Sequence, residues 1–177
     1  MILHARFVAL TALILAAAAS RLVPHPPNFT PIAAMALFGG AHFSDRRVAL
    51  LVPLSAMLLS DLVLGLHGLI PVVYACFAIT VVIGFRLRWH RAALPVATAA
   101  LASSTLFFLV TNLAVWAFGS VYPKTWAGLV ACYVAAVPFF GNTLAGDAVY
   151  TAALFGAFAL AEKRLPALRA PGFSRVG

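Results

Sequence analysis

The chain has 177 residues, of which 64% are hydrophobic and 9% are charged, and its mean hydropathy is +1.04. Soluble domains contain about 45–50% apolar and about 25% charged residues. The composition therefore excludes a water-soluble globular protein and predicts an integral membrane protein. The net charge of +8 does not indicate a nucleic-acid partner, because cytoplasmic loops of membrane proteins collect Lys and Arg.

Six apolar segments follow one another along the chain, and we predict a transmembrane helix for each. The segments cover residues 3–22, 31–43, 47–66, 69–87, 93–118 and 142–162. A helix needs about 20 residues to cross the hydrocarbon core, so the second segment is short. We expect a single all-α transmembrane domain over residues 1–177. For the first segment, its basic start and the run "AAAAS" leave a cleavable signal peptide open as an alternative.

The distribution of basic residues predicts the orientation. Six spans place ten basic residues on one side of the membrane and only Arg21 and Lys124 on the other. The ten are Arg6, Arg46, Arg47, Arg86, Arg88, Arg91, Lys163, Arg164, Arg169 and Arg175. Since Lys and Arg mark the cytoplasmic side, both termini are predicted to be cytoplasmic.

The segment 126–140, between the fifth and sixth helices, is the main ambiguity of this topology. If it crossed the membrane, the basic residues would be divided six against six, which contradicts the usual bias. We therefore predict an interfacial or re-entrant segment on the outer face, ending at the "GN" of Gly141 and Asn142. Aromatic residues typical of a membrane interface surround it, namely Trp116, Tyr122, Trp126 and Tyr133.

Two carboxylates near the predicted outer face are candidate binding residues. Asp61 lies about five residues, or roughly 7–8 Å, from the outer end of the third helix. A carboxylate at such a depth normally faces the bundle interior or a cavity, so ligand binding and a helix–helix hydrogen bond are both open. Asp147 is predicted near the outer end of the sixth helix, within reach of interfacial water.

Other polar residues of the outer side are weaker candidates. His25 and Asn28 lie in the proline-rich first loop, "RLVPHPPNFTP", and His67 follows the third helix. Exposed histidines without a role are common, Asn28 is also suited to holding the turn, and Tyr74 is equally well explained by the aromatic belt. No metalloprotease, nucleophile-elbow or phosphate-loop motif is present, so the sequence does not predict an ATPase.

Cys76, in the run "VVYACFAIT", is one of only two cysteines. It lies about seven residues after the start of the fourth helix, roughly 10 Å below the outer boundary. Free cysteine is a common small core residue, but its thiolate is also a ligand for soft metals. A disulfide framework is not expected in a chain with Cys76 and Cys132 alone.

The stretches "SRLVPHPPNFTPIAAMALFGGAHF" and "LVPLSAMLLSDLVLGLHG" resemble a family of small bacterial six-helix membrane proteins. These are similar to the substrate-binding (S) components of energy-coupling-factor vitamin transporters, and the similarity continues through "KTWAGLVACYVAAVPFFGNTLAGDAVYTAALFG". Many relatives carry serine at the position of Cys76. A cysteine there resembles the BtuM-type subgroup, which is linked to vitamin B12 uptake.

The resemblance implies a cobalamin-binding protein of the bacterial cytoplasmic (inner) membrane, with an outward-facing cavity roofed by the outer loops and by segment 126–140 as a lid. Cys76 would be the axial thiolate ligand of the cobalt, and such ligation would also labilise the upper axial ligand. The other predicted pocket residues are His25, Asn28, Asp61, His67, Tyr74 and Asp147.

The resemblance also implies a partner. S components dock on a membrane coupling subunit with its ATPases through small residues of the first helix, and Ala5/Ala9 and Ala12/Ala16 have the required spacing. Some members of the B12 subgroup act without a dedicated module, so the partner stays open. The rival hypotheses are the same fold with another vitamin or metal as substrate, a non-transport assembly protein, and an oxidoreductase using Cys76 and Cys132.

Overall fold

A computed structural model describes residues 2–169, and over this range the protein is helical, without strands. The helices are α1 (Ile2–Ser20), α2 (Ile32–His42), α3 (Arg46–Leu64), α4 (Ile70–Arg86), α5 (Ala93–Phe118) and α6 (Trp126–Arg164), followed by a 3-10 turn at Pro166–Leu168. The first five lie within two residues, at each end, of the segments predicted from the sequence. Arg175 lies outside the described residues.

The sixth helix differs from the prediction. It has 39 residues without interruption, about 58 Å at 1.5 Å per residue, so the expected break at Gly141 and Asn142 is absent. The separate interfacial segment is the first part of this helix. It begins at a cap, where the Thr125 hydroxyl accepts from the Gly128 amide. It then packs along α5, where the Tyr133 hydroxyl donates to the Leu109 carbonyl over 2.6 Å. These contacts support the helix through residues whose own helix propensity is poor.

α2 is the centre of the bundle. Nine of its 11 residues are buried, although about 17 Å of helix is too short to cross the roughly 30 Å hydrocarbon core. Its closest neighbour is α4, and glycines permit the approach. A Cβ atom added to Gly40 would lie 2.3 Å from the Val81 carbonyl oxygen, and one added to Gly84 would lie 2.7 Å from that of Leu37. The two backbones are therefore in direct contact.

Three helices of the described residues are long and apolar enough to cross a membrane, namely α3, α5 and α6. The apolar parts of α1, α2 and α4 are shorter. α1 nevertheless belongs to the core, because Leu10 and Ile14 are fully buried. Over the described residues, the structure confirms the predicted all-α fold with six helices. It does not test whether each helix crosses a membrane.

Both described ends of the chain lie at the same end of the bundle. The Arg6 guanidinium on α1 contacts the Glu162 carboxylate at 2.5 Å and also donates to the Leu168 carbonyl. Asp45 caps the start of α3 at this end, and its carboxylate accepts from the amides of Arg47 and Val48. These two backbone donors lower the pKa of the exposed Asp45. The opposite end holds the three loops that the topology assigns to the outer side.

Candidate functional site

A cavity of about 360 Å³ opens at the end of the bundle opposite Arg6 and Glu162. Its walls come from the first loop and from α2, α3, α4, α5 and α6. The polar lining residues are Arg21, Asn28, Thr30, Asp61, His67, Thr80, Thr111, Asn112, Thr143 and Asp147. Small-molecule sites typically have volumes of about 300–1,000 Å³ and a few polar groups in a mostly apolar wall. The cavity is the leading candidate for the functional site.

A buried ion pair forms one wall. Arg21, just after α1, places its Nη2 2.7 Å from Asp61 Oδ1 on α3. The Tyr74 hydroxyl, on α4, donates to Asp61 Oδ2 over 2.9 Å, and Arg21 Nη1 donates to the Ser60 hydroxyl. Only 4% of Asp61 is exposed. Because each charge has a partner, the pair can stay ionised in an apolar environment, and it offers fixed charge to a ligand.

This arrangement joins the two explanations that the sequence left open for Asp61. Its carboxylate ties three helical regions together, and it also lines the cavity. Tyr74 reaches the site through Asp61 and is not itself a lining residue. Arg21 was not among the predicted site residues. Its isolation on the outer side, where the only other basic residue is Lys124, was the signal that could have identified it.

The first loop closes the cavity against α6. Asn28 has a positive φ of 64°, a conformation that asparagine tolerates better than most residues. The loop is held by Asn142, whose Nδ2 donates to the Pro27 carbonyl over 2.9 Å. A Cβ on Gly146 would lie 3.1 Å from the Phe29 Cα atom, so this glycine allows the loop to approach the helix. Asn142, which was expected to break the chain before the sixth helix, therefore holds the loop instead.

The two loop histidines occupy different positions. His67 is exposed and lines the mouth of the cavity. His25 is not a lining residue, and its Nδ1 lies 3.0 Å from the carbonyl oxygen of the adjacent Pro26. The structure thus brings His67 to the cavity and leaves His25 in the loop surface.

Phenylalanine rings make up much of the remaining wall, and their meeting at one site was not predicted from the sequence. The lining rings are Phe77, Phe107, Phe108, Phe139 and Phe140. The Phe108 and Phe140 centroids are 4.5 Å apart, which fixes α5 against α6 at the level of the cavity. Such a wall suits a ligand with flat or apolar faces.

Cys76 lies beside the cavity but does not line it. The α4 residues around it, Val73, Phe77 and Thr80, are lining residues, whereas Cys76 is only 1% exposed. Its thiol is free, like that of Cys132. Within residues 2–169, no group of three or more His, Cys, Asp and Glu side chains is arranged to hold a metal ion.

Asp147 was predicted near the outer end of the sixth helix and lies instead in the middle of the continuous α6. Because α6 begins at Trp126, Asp147 follows 21 residues of helix, or about 32 Å. It is 3% exposed, and the only hydrogen bond of its carboxyl group in the described structure joins Oδ2 to the Ser104 hydroxyl oxygen over 2.5 Å. It lines both the cavity and a second groove between α5 and α6.

The chain belongs to a family of unknown function, DUF6580, whose model matches residues 2–168. No curated protein matches the chain, and no solved structure matches it.

Proposed function

We propose that this family member is a membrane-embedded binding protein that takes a small molecule from the outer face into the cavity beside Arg21 and Asp61. The observation that carries the proposal is the cavity itself. It combines a fixed ion pair, neutral hydrogen-bonding groups and aromatic walls at one end of the bundle. Sites of this composition bind and orient organic ligands.

The exposed surface of the bundle supports a membrane environment. Large apolar side chains are exposed on its long helices, including Leu51, Leu59, Leu62, Leu101, Leu109, Val134 and Val149. Water-soluble monomers rarely expose apolar surface of this extent, whereas a bilayer covers it. With the basic end of the bundle cytoplasmic, the cavity opens outward. We place the protein in the bacterial cytoplasmic membrane as a multi-pass protein.

Cobalamin is our first candidate ligand, because of the resemblance to the B12 subgroup. Phenylalanine faces suit a flat macrocycle, and the ion pair and amides suit its polar side chains. Thiolate ligation of cobalt needs a rearrangement, since Cys76 is covered. The side chains of Val73 and Phe77, which flank it toward the cavity, would have to move, and the cavity would have to widen between the first loop and α6.

A second candidate is a smaller vitamin-sized molecule, and two observations favour it. The cavity of about 360 Å³ is at the lower end of the range for small-molecule sites. Cys76 is buried and apart from the lining, as expected for a packing residue. With such a ligand the site would keep its present shape, and the thiol would have no chemical role.

Titration in nanodiscs with cobalamin tests the first candidate. Binding with a change in the absorption spectrum of the corrinoid is expected for the wild type. Cys76→Ser should abolish the spectral change and weaken binding, whereas Cys132→Ser, which removes the other buried thiol, should leave both unchanged. If Cys76→Ser binds with the wild-type spectrum and affinity, thiolate ligation is wrong.

A panel of vitamins, read by the shift in unfolding temperature, tests the binding function in general. A ligand of the cavity should raise this temperature in the wild type by mass action. The shift should shrink in Asn112→Leu, which removes a lining amide, and persist in Trp89→Leu at the opposite end. A folded, monodisperse protein that responds to no corrinoid or smaller vitamin would favour a non-transport assembly role.

The partner is tested in the same preparation. Co-purification with a membrane coupling subunit and its ATPases would assign the protein to an energy-coupling module. Uptake by cells that lack any such module would show that it acts alone.

A further inference from the structure

We propose that Asp147 and Ser104 form a proton-binding site in the wall between the ligand cavity and the groove between α5 and α6. The carboxyl group of Asp147 holds the proton while the cavity is empty and releases it to water on the cavity side. The site itself does not depend on the identity of the ligand.

The hydrogen atoms at Ser104 argue for this state. Its Oγ lies 2.9 Å from the Ala100 carbonyl oxygen and 2.5 Å from Asp147 Oδ2. A hydroxyl group has one proton to donate, and the Ala100 carbonyl can only accept. If Ser104 donates to that carbonyl, the short contact with Asp147 requires a proton on the carboxyl group. A distance of 2.5 Å is at the short end of the range for O–H···O hydrogen bonds.

Within residues 2–169, no opposite charge is paired with Asp147 to stabilise a carboxylate. Both ion pairs of the described residues lie elsewhere, at Arg6–Glu162 and Arg21–Asp61. Of the two helices that pack most closely on α6, α5 has no ionisable side chain, and α2 has only His42, which stacks on Phe155 and Phe158 farther along α6. An unpaired buried carboxylate normally takes up a proton instead of remaining charged.

The other ionisable groups that share a cavity with Asp147 are engaged or distant. Arg21 and Asp61 bind each other, and His67 is at the cavity mouth. Arg91 lies at the far end of the groove, beside the start of α5, and the helix between Ala93 and Ser104 is about 16 Å long. The proton therefore has no nearby charged competitor.

Access from two sides distinguishes this carboxyl group from a structural one. On one side it meets the polar cavity, where water or a basic ligand can take the proton. On the other side is a groove of about 560 Å³, lined by small side chains such as Ala148 and Ala152. The next polar group along this groove is Thr151, whose buried hydroxyl has no hydrogen-bond partner. Intramembrane carboxylates in such positions are typical of proton pathways.

The consequence is a link between occupancy and protonation. The O–H bond of Asp147 breaks when a ligand or water accepts its proton, and the carboxylate then needs a donor or a cation from the ligand. Binding would therefore be coupled to proton release at the outer face. This last step rests on the proposed binding function, whereas the protonated state does not.

Infrared difference spectroscopy of the full-length protein in nanodiscs tests the protonated state directly. The wild type minus Asp147→Asn should show a carboxylic-acid carbonyl band at neutral pH. Ser104→Ala should move this band to higher frequency, because the acid loses its acceptor. Ser103→Ala is the matched control, since the buried Ser103 donates only to Ala99. Absence of the band, or no shift in Ser104→Ala, would overturn the proposal.

Labelling with dicyclohexylcarbodiimide, an apolar reagent that modifies protonated carboxyl groups, tests access through the groove. Mass spectrometry should find the label on Asp147 and not on the ion-paired Asp61, with a rate that falls as the pH rises. Ala152→Phe should slow labelling several-fold, while Ala153→Phe, on a neighbouring exposed face, should not. Equal labelling of both aspartates, or an equal rate in the two phenylalanine variants, would reject this access route.

Discussion

Replacing Gly40 by alanine should separate α2 from α4. The added Cβ would lie 2.3 Å from the Val81 carbonyl oxygen and 2.9 Å from the Gly84 Cα. Real Cβ atoms essentially never approach closer than 3.0 Å, so the first contact is short by 0.7 Å. Both neighbours are backbone atoms that cannot rotate away, and the relief must come from movement of the helices.

The expected loss of stability can be worked out from two opposing effects. Overpacking in a well-packed core costs about 1–3 kcal/mol, whereas alanine is favoured over glycine in a helix by about 1 kcal/mol. We expect the upper part of the overpacking range because the contacts are rigid, and hence a net loss of about 1–2 kcal/mol. For a chain of this size, that lowers the unfolding temperature by roughly 2–8 °C.

Thermal unfolding in nanodiscs, followed by circular dichroism, measures the effect. Gly141→Ala is the matched control, because a Cβ at this position meets no atom within 4 Å. It should keep or raise the unfolding temperature. If Gly40→Ala is as stable as Gly141→Ala, the close packing of α2 on α4 is wrong.

Three further predictions concern the ion pair and α6. Asp61→Asn should lower the free energy of unfolding by about 3–5 kcal/mol, because it leaves the Arg21 charge buried without a partner. In denaturant titrations, the double variant Asp61→Asn with Arg21→Met should lose less stability than the single variant. An equal loss in the two variants would contradict the pairing. Both cysteines can be replaced by serine, and spin labels can then be attached at positions 126 and 163. Double electron–electron resonance should give a distance of about 55 Å between the labels if α6 is continuous. A distance below about 45 Å would indicate a break in the helix. Pro138→Ala should raise the unfolding temperature, because it restores a backbone donor to a helix in which proline costs up to about 3 kcal/mol. An unchanged unfolding temperature would contradict this and show that local packing already compensates for the proline.

The helices of the first half of the chain were predictable because each is a continuous apolar run that ends in Pro, Gly or charged residues. α6 was not. Counting charges distinguishes one side of the membrane from the other, and under that rule it argued against a seventh span. It cannot distinguish a surface segment from the start of a helix that simply continues. The error moved the predicted position of Asp147 from the middle of α6 to its outer end.

Within the candidate site, the sequence identified polar residues by depth but not their partners. Asn28, Asp61, His67 and Asp147 all line the cavity. The pairing of Asp61 with Arg21 depends on the rotation of α3 relative to the end of α1, which periodicity does not determine. The same uncertainty of helix rotation applied to Cys76. Cys76 lies on α4, and yet the structure directs Val73 and Phe77, instead of the thiol, to the cavity.

For the membrane protein that we propose, the burial of α2 has a consequence for the order of insertion. At 11 residues it cannot span the bilayer by itself, and the surface that receives it includes Val81 and Gly84, which leave the ribosome about 40 residues later. Until α4 is made, α2 has no place at which its full surface is covered. The insertion machinery, or a shallow position in the headgroup region, must hold it until then. Early release of the nascent chain would therefore trap a species with α1 inserted and α2 still outside the bundle.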